Sequence, residues 1–203
     1  GLVGGSARAS IFKCTRADLA DPVAAWATHS AKLKERTDFL NQRRYSALKY
    51  TGPGTDFTLG LVDDHHWKGG ASKAKNGVIF NANVPTEEVF TMPHRERVDG
   101  IVRATKPLSY QGTIIDGIRV RFEKGRIVES HADKGHEVFR KMIETDEGAA
   151  RLGEVALVPH SSPIAALIYR GDAGPGSITR LVEQLDGHSL FGRPLESLDA
   201  WTL

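Results

Sequence analysis

Two short runs of strict alternation constrain this chain more than any other feature. Phe57, Leu59 and Leu61 are separated by polar or small residues, and so are Ile118, Val120 and Phe122. Side chains along a strand point alternately to opposite faces, so a period of two marks a strand buried on one side only. Turn chemistry adjoins both runs. Thr51-Gly52-Pro53-Gly54 precedes the first, after a strand-like stretch from Tyr45 to Tyr50. Lys124-Gly125 follows the second, and Arg126 to Glu129 returns as its hairpin partner. Half-buried strands joined by tight turns build an antiparallel sheet with one face on a core.

Helices flank these strands. Asp21 suits an N-cap and Pro22 the first helical position. Val23, Trp26, Ser30, Leu33, Thr37 and Leu40 then share one face at helical spacing, with Asn41 as the expected stop. A second helix is predicted from Glu137 to Thr145 on Val138, Met142 and Ile143, and Asp146 caps a short one to Leu152. Asp63 to Gly77 reads as a loop and Val78 to Phe80 as a short strand. Glu154 to Val158 reads as a short buried strand ended by Pro159. The fold class is therefore α+β, with a mixed, largely antiparallel curved sheet flanked by helices. After Ile164 glycine and proline accumulate, and one helical stretch fits, Ile178 to Leu185.

Composition removes several classes of function. With 40% hydrophobic and 26% charged residues, the chain is globular rather than disordered or fibrous. Its 27 basic and 25 acidic residues interleave, as in Arg95-Glu96-Arg97, unlike the clustered basic face of a nucleic-acid binder. No apolar run approaches the ~20 residues of a membrane span. Cys14 is the only cysteine, which excludes an internal disulfide and cysteine-based zinc sites and points to a cytoplasmic protein.

The segment most suggestive of chemistry is Asn83-Val84-Pro85-Thr86-Glu87-Glu88-Val89-Phe90-Thr91. Buried carboxylates need compensation, and a divalent cation supplies it. Two surface glutamates on a turn is the plainer alternative. Glu154 opens an apolar strand directly after Gly153, where the residues alone favour an arginine or a backbone cap as its partner slightly over a metal. Asp63-Asp64-His65-His66-Trp67 contains ligand-type residues, but neighbouring side chains diverge, so it reads as a loop. His94, His131, His136 and His160 stand singly. Neither a phosphate-binding loop nor a Gly-x-Ser-x-Gly elbow is present.

Several blocks, taken in order, resemble the aminopeptidase T and aminopeptidase S family, the thermophilic metalloproteases. They are Tyr50 to Asp56, Lys75-Asn76-Gly77, Asn83 to Pro93, Arg103 to Leu108, Thr145 to Ala149 and Leu152 to Pro159. The resemblance runs from Ile11 to Ile164 and implies a two-metal exopeptidase acting on peptide substrates. By the family pattern Glu88 binds one metal and Glu154 bridges both. The metals are zinc, with cobalt or manganese as substitutes, and the enzymes are homodimers. Glu87, beside the ligand, is the candidate general base by analogy with other paired-glutamate aminopeptidases.

The resemblance then stops. The family's later histidine, tyrosine and His-x-Asp pair are not recognisable after Val158, and His188 in Asp186-Gly187-His188-Ser189 does not fit. The expected organisation is a linker or cloning remnant at 1–10, an incomplete aminopeptidase-like region at 11–164 and an unmatched tail at 165–203. A shifted reading frame and a truncated or divergent gene both account for such a tail. Two carboxylates make a weak metal site, so little activity is expected of this chain alone. The alternatives are a non-catalytic, partner-binding fragment and a basic binding surface on Arg119, Arg121, Lys124 and Arg126.

Overall fold

The structure is a computed structural model that describes residues 3–159 and 162–163. The tail from residue 165, including the expected helix Ile178 to Leu185 and His188, lies outside the described residues, as does His160.

The chain opens with two helices, α1 (Val3–Cys14) and α2 (Pro22–Arg43). Most of the N-terminal segment read as a linker is thus helical. Asp21 caps α2 as the sequence predicts, its side chain accepting from the Ala24 amide at 2.9 Å. The helix outruns Asn41 and ends at Arg44, a left-handed residue whose amide bonds the Leu40 carbonyl. Leu33, Thr37 and Leu40 are buried, but Val23 at the helix start is 81% exposed. The stripe therefore becomes core only further along the helix.

A five-stranded sheet follows, in the order β1 (Ala47–Gly52), β2 (Thr55–Leu61), β7 (Pro93–Arg103), β10 (Arg119–Glu123) and β11 (Arg126–His131). The predicted hairpin at Lys124-Gly125 is present, with Glu123 facing Arg126, and the turn cluster at Gly52 also joins paired strands, with Gly52 facing Thr55. Lys124 and Gly125 both have positive φ, as the two-residue turn requires. Bulges interrupt the register between Leu59 and Leu61 and between Arg121 and Phe122.

A second sheet has the order β12 (Val155–Leu157), β6 (Val89–Thr91) and β3 (Lys68–Gly69). Two hairpins complete the set, β4 (Ala71–Lys73) with β5 (Ile79–Asn81) and β8 (Leu108–Tyr110) with β9 (Thr113–Ile115). Every named strand pair is antiparallel. The stretch read as a loop from Asp63 to Gly77 thus holds β3 and β4, strands too short to show a period. Helix α3 (His136–Ile143) buries Phe139. The short helix expected after Asp146 is instead a turn, with Asp146 Oδ1 accepting from the Gly148 and Ala149 amides at 2.8 Å each.

One core joins both sheets. Leu33 and Leu40 of α2 pack with Leu48, Phe57, Leu59, Val98, Val120 and Phe122 of the large sheet. Trp67, Val89, Val155 and Leu157 of the small sheet belong to the same cluster.

Candidate active site

The small sheet brings the expected ligands onto one surface. Strands β6 and β12 pair with Val155 opposite Thr91 and Leu157 opposite Val89, and all four residues are buried. Phe90 and Ala156 face each other on the other side and are half-buried. Continuing this register one residue past each strand sets Glu88 opposite Val158 and Glu154 opposite Met92. Both glutamates therefore share the outer face with Phe90 and Ala156. They lie four residues apart along the pair, roughly 13 Å at the rise of an antiparallel strand. Glu88 is half-buried and Glu154 is exposed. Lys68 of β3 faces Phe90 and adds a cationic side chain to this surface.

The inner side of the same sheet is fastened to α2. Asn41 clamps the Trp67 backbone, accepting from its amide at 2.8 Å and donating to its carbonyl at 3.0 Å. Thr91 donates its hydroxyl to the His66 carbonyl at 3.0 Å. Gly69 lets β3 approach β6, since a Cβ there would lie 2.6 Å from the Glu88 carbonyl oxygen.

Glu87 and Glu88 part company at this sheet. Glu87 turns inward and is 5% exposed. Its Oε1 accepts from Nη1 of Arg16 at 2.6 Å, while Nη2 of the same guanidinium lies 3.0 Å from Nδ1 of His29. Nε2 of His29 lies 2.6 Å from the Thr86 carbonyl. A carbonyl only accepts and a guanidinium only donates, so His29 is the neutral tautomer with its proton on Nε2. Burial, the largest cause, lowers the His29 pKa; the Thr86 hydrogen bond and Glu87 oppose it, and Arg16 and Arg36 reinforce it. Arg16 also lies over the Trp26 ring, 4.9 Å from its centroid, and Trp26 donates to the Thr15 carbonyl at 2.7 Å. Burial raises the nearby Cys14 thiol, with Glu87 adding to the effect, and burial lowers the Arg36 guanidinium against Glu87.

Arg16 and His29 carry no ligand motif, and the sequence reading missed them. A signal for His29 did exist: it falls three residues after Trp26 and four before Leu33, on the stripe facing the core. A polar side chain on such a stripe calls for a buried partner. Nothing local marks Arg16.

Most of the remaining candidates are engaged elsewhere. Asp63 pairs with Arg97 at 2.8 Å and Asp64 with Arg44 at 3.4 Å. His65 is buried, its Nδ1 donating to the Val62 carbonyl at 2.8 Å. His94 accepts from the Glu96 amide, and His131 meets Asp133 at 3.1 Å. The His136 ring lies tilted against that of His131, with ring centroids 5.7 Å apart. The basic stripe is largely neutralised. Arg119 pairs with Asp133, and Arg121 pairs with Glu129 and Glu123.

Among the described residues no three His, Cys, Asp or Glu side chains are grouped as metal ligands would be. Glu88 and Glu154 are oxygen donors of a kind that divalent ions accept. They fit part of a metal centre, on one face, and the described residues do not complete it.

Comparison with known proteins agrees with this partial character. The pattern of the family described as Thermophilic metalloprotease (M29) matches residues 6–170, slightly beyond both bounds expected from the sequence. Aminopeptidase T of Thermus thermophilus is 56% identical over 156 residues, covering 77% of this chain and 38% of its own length. Aminopeptidase AmpS of Bacillus subtilis is 51% identical over 155 residues, covering 76% of this chain and 38% of its own length. The solved structure of wild-type AmpT from Thermus thermophilus superposes with a TM-score of 0.73 at 49% identity. That match covers 81% of this chain and 42% of that one. The chain thus spans less than half the length of these relatives.

Proposed function

The chain belongs to the thermophilic metalloprotease family, and from that premise we propose that it carries the carboxylate part of an aminopeptidase metal centre. The reaction is release of N-terminal amino acids from peptides. Its matched relatives are named aminopeptidases. The observation that carries the reading is the pairing of β6 with β12, whose register, continued one residue past each strand, puts Glu88 and Glu154 on one face.

In this proposal Glu88 and Glu154 would be the carboxylate ligands of the divalent ions, with zinc, cobalt or manganese as the ion. Bound there, the ions would supply Lewis acidity and an activated water. The chain's own residues bind and orient. Phe90 and Ala156, both half-buried, form the apolar floor of the face from which the two carboxylates would converge. Gly69 and β3 brace the Glu88 backbone from one side.

The test is Co(II) titration by calorimetry with leucyl-anilide hydrolysis in parallel, on the wild-type chain, Glu88→Gln and Glu154→Gln. Weak Co(II) binding that each substitution weakens further supports the ligand assignment. Binding that neither substitution changes refutes it. The second reading is a non-catalytic, partner-binding fragment of such an enzyme. Cobalt-dependent turnover by the wild-type chain would refute that one.

A further inference from the structure

We infer that Arg16 and His29 are positioning residues, which hold Glu87 on the inner side of the small sheet and so fix Glu88 on its outer face. This rests on Glu88 being a metal ligand, as proposed above.

Three consecutive residues are pinned in three different ways. His29 donates to the Thr86 carbonyl at 2.6 Å. Arg16 donates to the Glu87 carboxylate at 2.6 Å. The Glu88 carbonyl abuts Gly69, where a Cβ would sit 2.6 Å away. Arg16 links the first two pins, because its second nitrogen donates to the His29 lone pair at 3.0 Å. Thr86 and Glu87 are both buried while Glu88 is half-buried. With Glu87 anchored inward, Glu88 is the side chain left to the outer surface.

The energetics point the same way. A buried ion pair contributes little net stability over an apolar pair of the same shape, which leaves holding Glu87 in place as the role assigned to it here. Groups bonded directly to a metal ligand commonly change metal affinity ~10–100-fold when removed; Arg16 and His29 act one and two residues away from Glu88, so the low end of that range is expected. This arrangement also bears on Glu87 as general base. To take a proton from a water on the outer face, Glu87 would have to leave Arg16 and cross the sheet.

The experiment uses the whole chain and two readouts, Co(II) affinity by calorimetry and thermal unfolding by circular dichroism. The variants are Arg16→Met, Arg16→Lys, His29→Ala, Glu87→Gln and Glu88→Gln. Arg16→Met is expected to weaken Co(II) binding about tenfold at a temperature where it stays folded, with partial recovery in Arg16→Lys. His29→Ala carries the test if Arg16→Met does not fold, and the same loss is expected of it. Lowered melting temperatures with unchanged Co(II) affinity mean a purely structural network and overturn the inference. So does a Glu87→Gln chain that binds Co(II) normally but loses a measurable leucyl-anilide activity, which would make Glu87 the base. If Glu88→Gln leaves Co(II) affinity intact, or the wild-type chain takes up none, the ligand assignment itself fails and this inference falls with it.

Discussion

Arg16 and Glu87 meet at 2.6 Å across 71 positions of the chain, with side chains only 14% and 4% exposed. The contact ties the segment after α1 to the segment that enters β6. Removing one partner leaves the other charge buried without compensation. Arg16→Met should therefore destabilise the fold by about 3–5 kcal/mol, read as a lowered urea midpoint. The double substitution with Glu87→Leu should recover most of that loss, because no buried charge then remains. A single variant that unfolds at the wild-type midpoint would show the pair to be energetically idle.

His29 gives this region a pH dependence of known sign. Its pKa is lowered from the ordinary 6.5, chiefly by burial. The native state then holds fewer protons than the unfolded chain near that pH. Its contribution to stability is full above the unfolded value and is lost as pH falls below it. Glutamine at position 29 can keep both hydrogen bonds without titrating. Urea midpoints of His29→Gln should thus fall less than wild type between roughly pH 7.5 and 5.5. Parallel profiles for the two proteins would mean that His29 does not titrate in this window.

What the sequence makes legible here is local. The alternation of Phe57, Leu59 and Leu61, the Lys124-Gly125 turn and the Asp21 cap are each decided by a few neighbouring residues, and each is present. Strands β3 and β4 escape notice because two or three residues carry no period. Glu88 and Glu154 stand out by family resemblance, and the register that places the paired strands between them is set by distant residues rather than by a local pattern. The inward turn of Glu87 depends on Arg16, whose partner lies far off in the chain, and no local pattern encodes such a pairing. His29 lay within reach of a closer reading of the α2 stripe.

Leu33 connects that helix to the site. It is fully buried in α2, and its side chain packs over Gly70, just after β3. Leu33→Ala should cost about 2–5 kcal/mol by loss of burial and by the cavity left behind. Hydrogen exchange should rise most at Lys68 to Gly70 and at Val89, where α2 supports the small sheet. Uniform loss of protection across both sheets would mean that Leu33 supports the whole core rather than this contact.

Two glycines beside the proposed ligands make a matched pair. At Gly69 a Cβ would meet the Glu88 carbonyl at 2.6 Å and Val89 Cγ1 at 3.0 Å. The first contact is with backbone, so β3 or the Glu88 segment must shift. Gly69→Ala should destabilise by about 1–3 kcal/mol, as overpacking does, and weaken Co(II) binding with it. At Gly153, next to Glu154, a Cβ would meet nothing within 4 Å. Gly153→Ala should leave Co(II) binding unchanged and stabilise by about 0.4–1 kcal/mol through a less free unfolded chain. Glycine substitution in general therefore does not disturb the site; a shift of the Glu88 backbone does. Equal effects of the two substitutions on unfolding and on Co(II) affinity would rule out this account of Gly69.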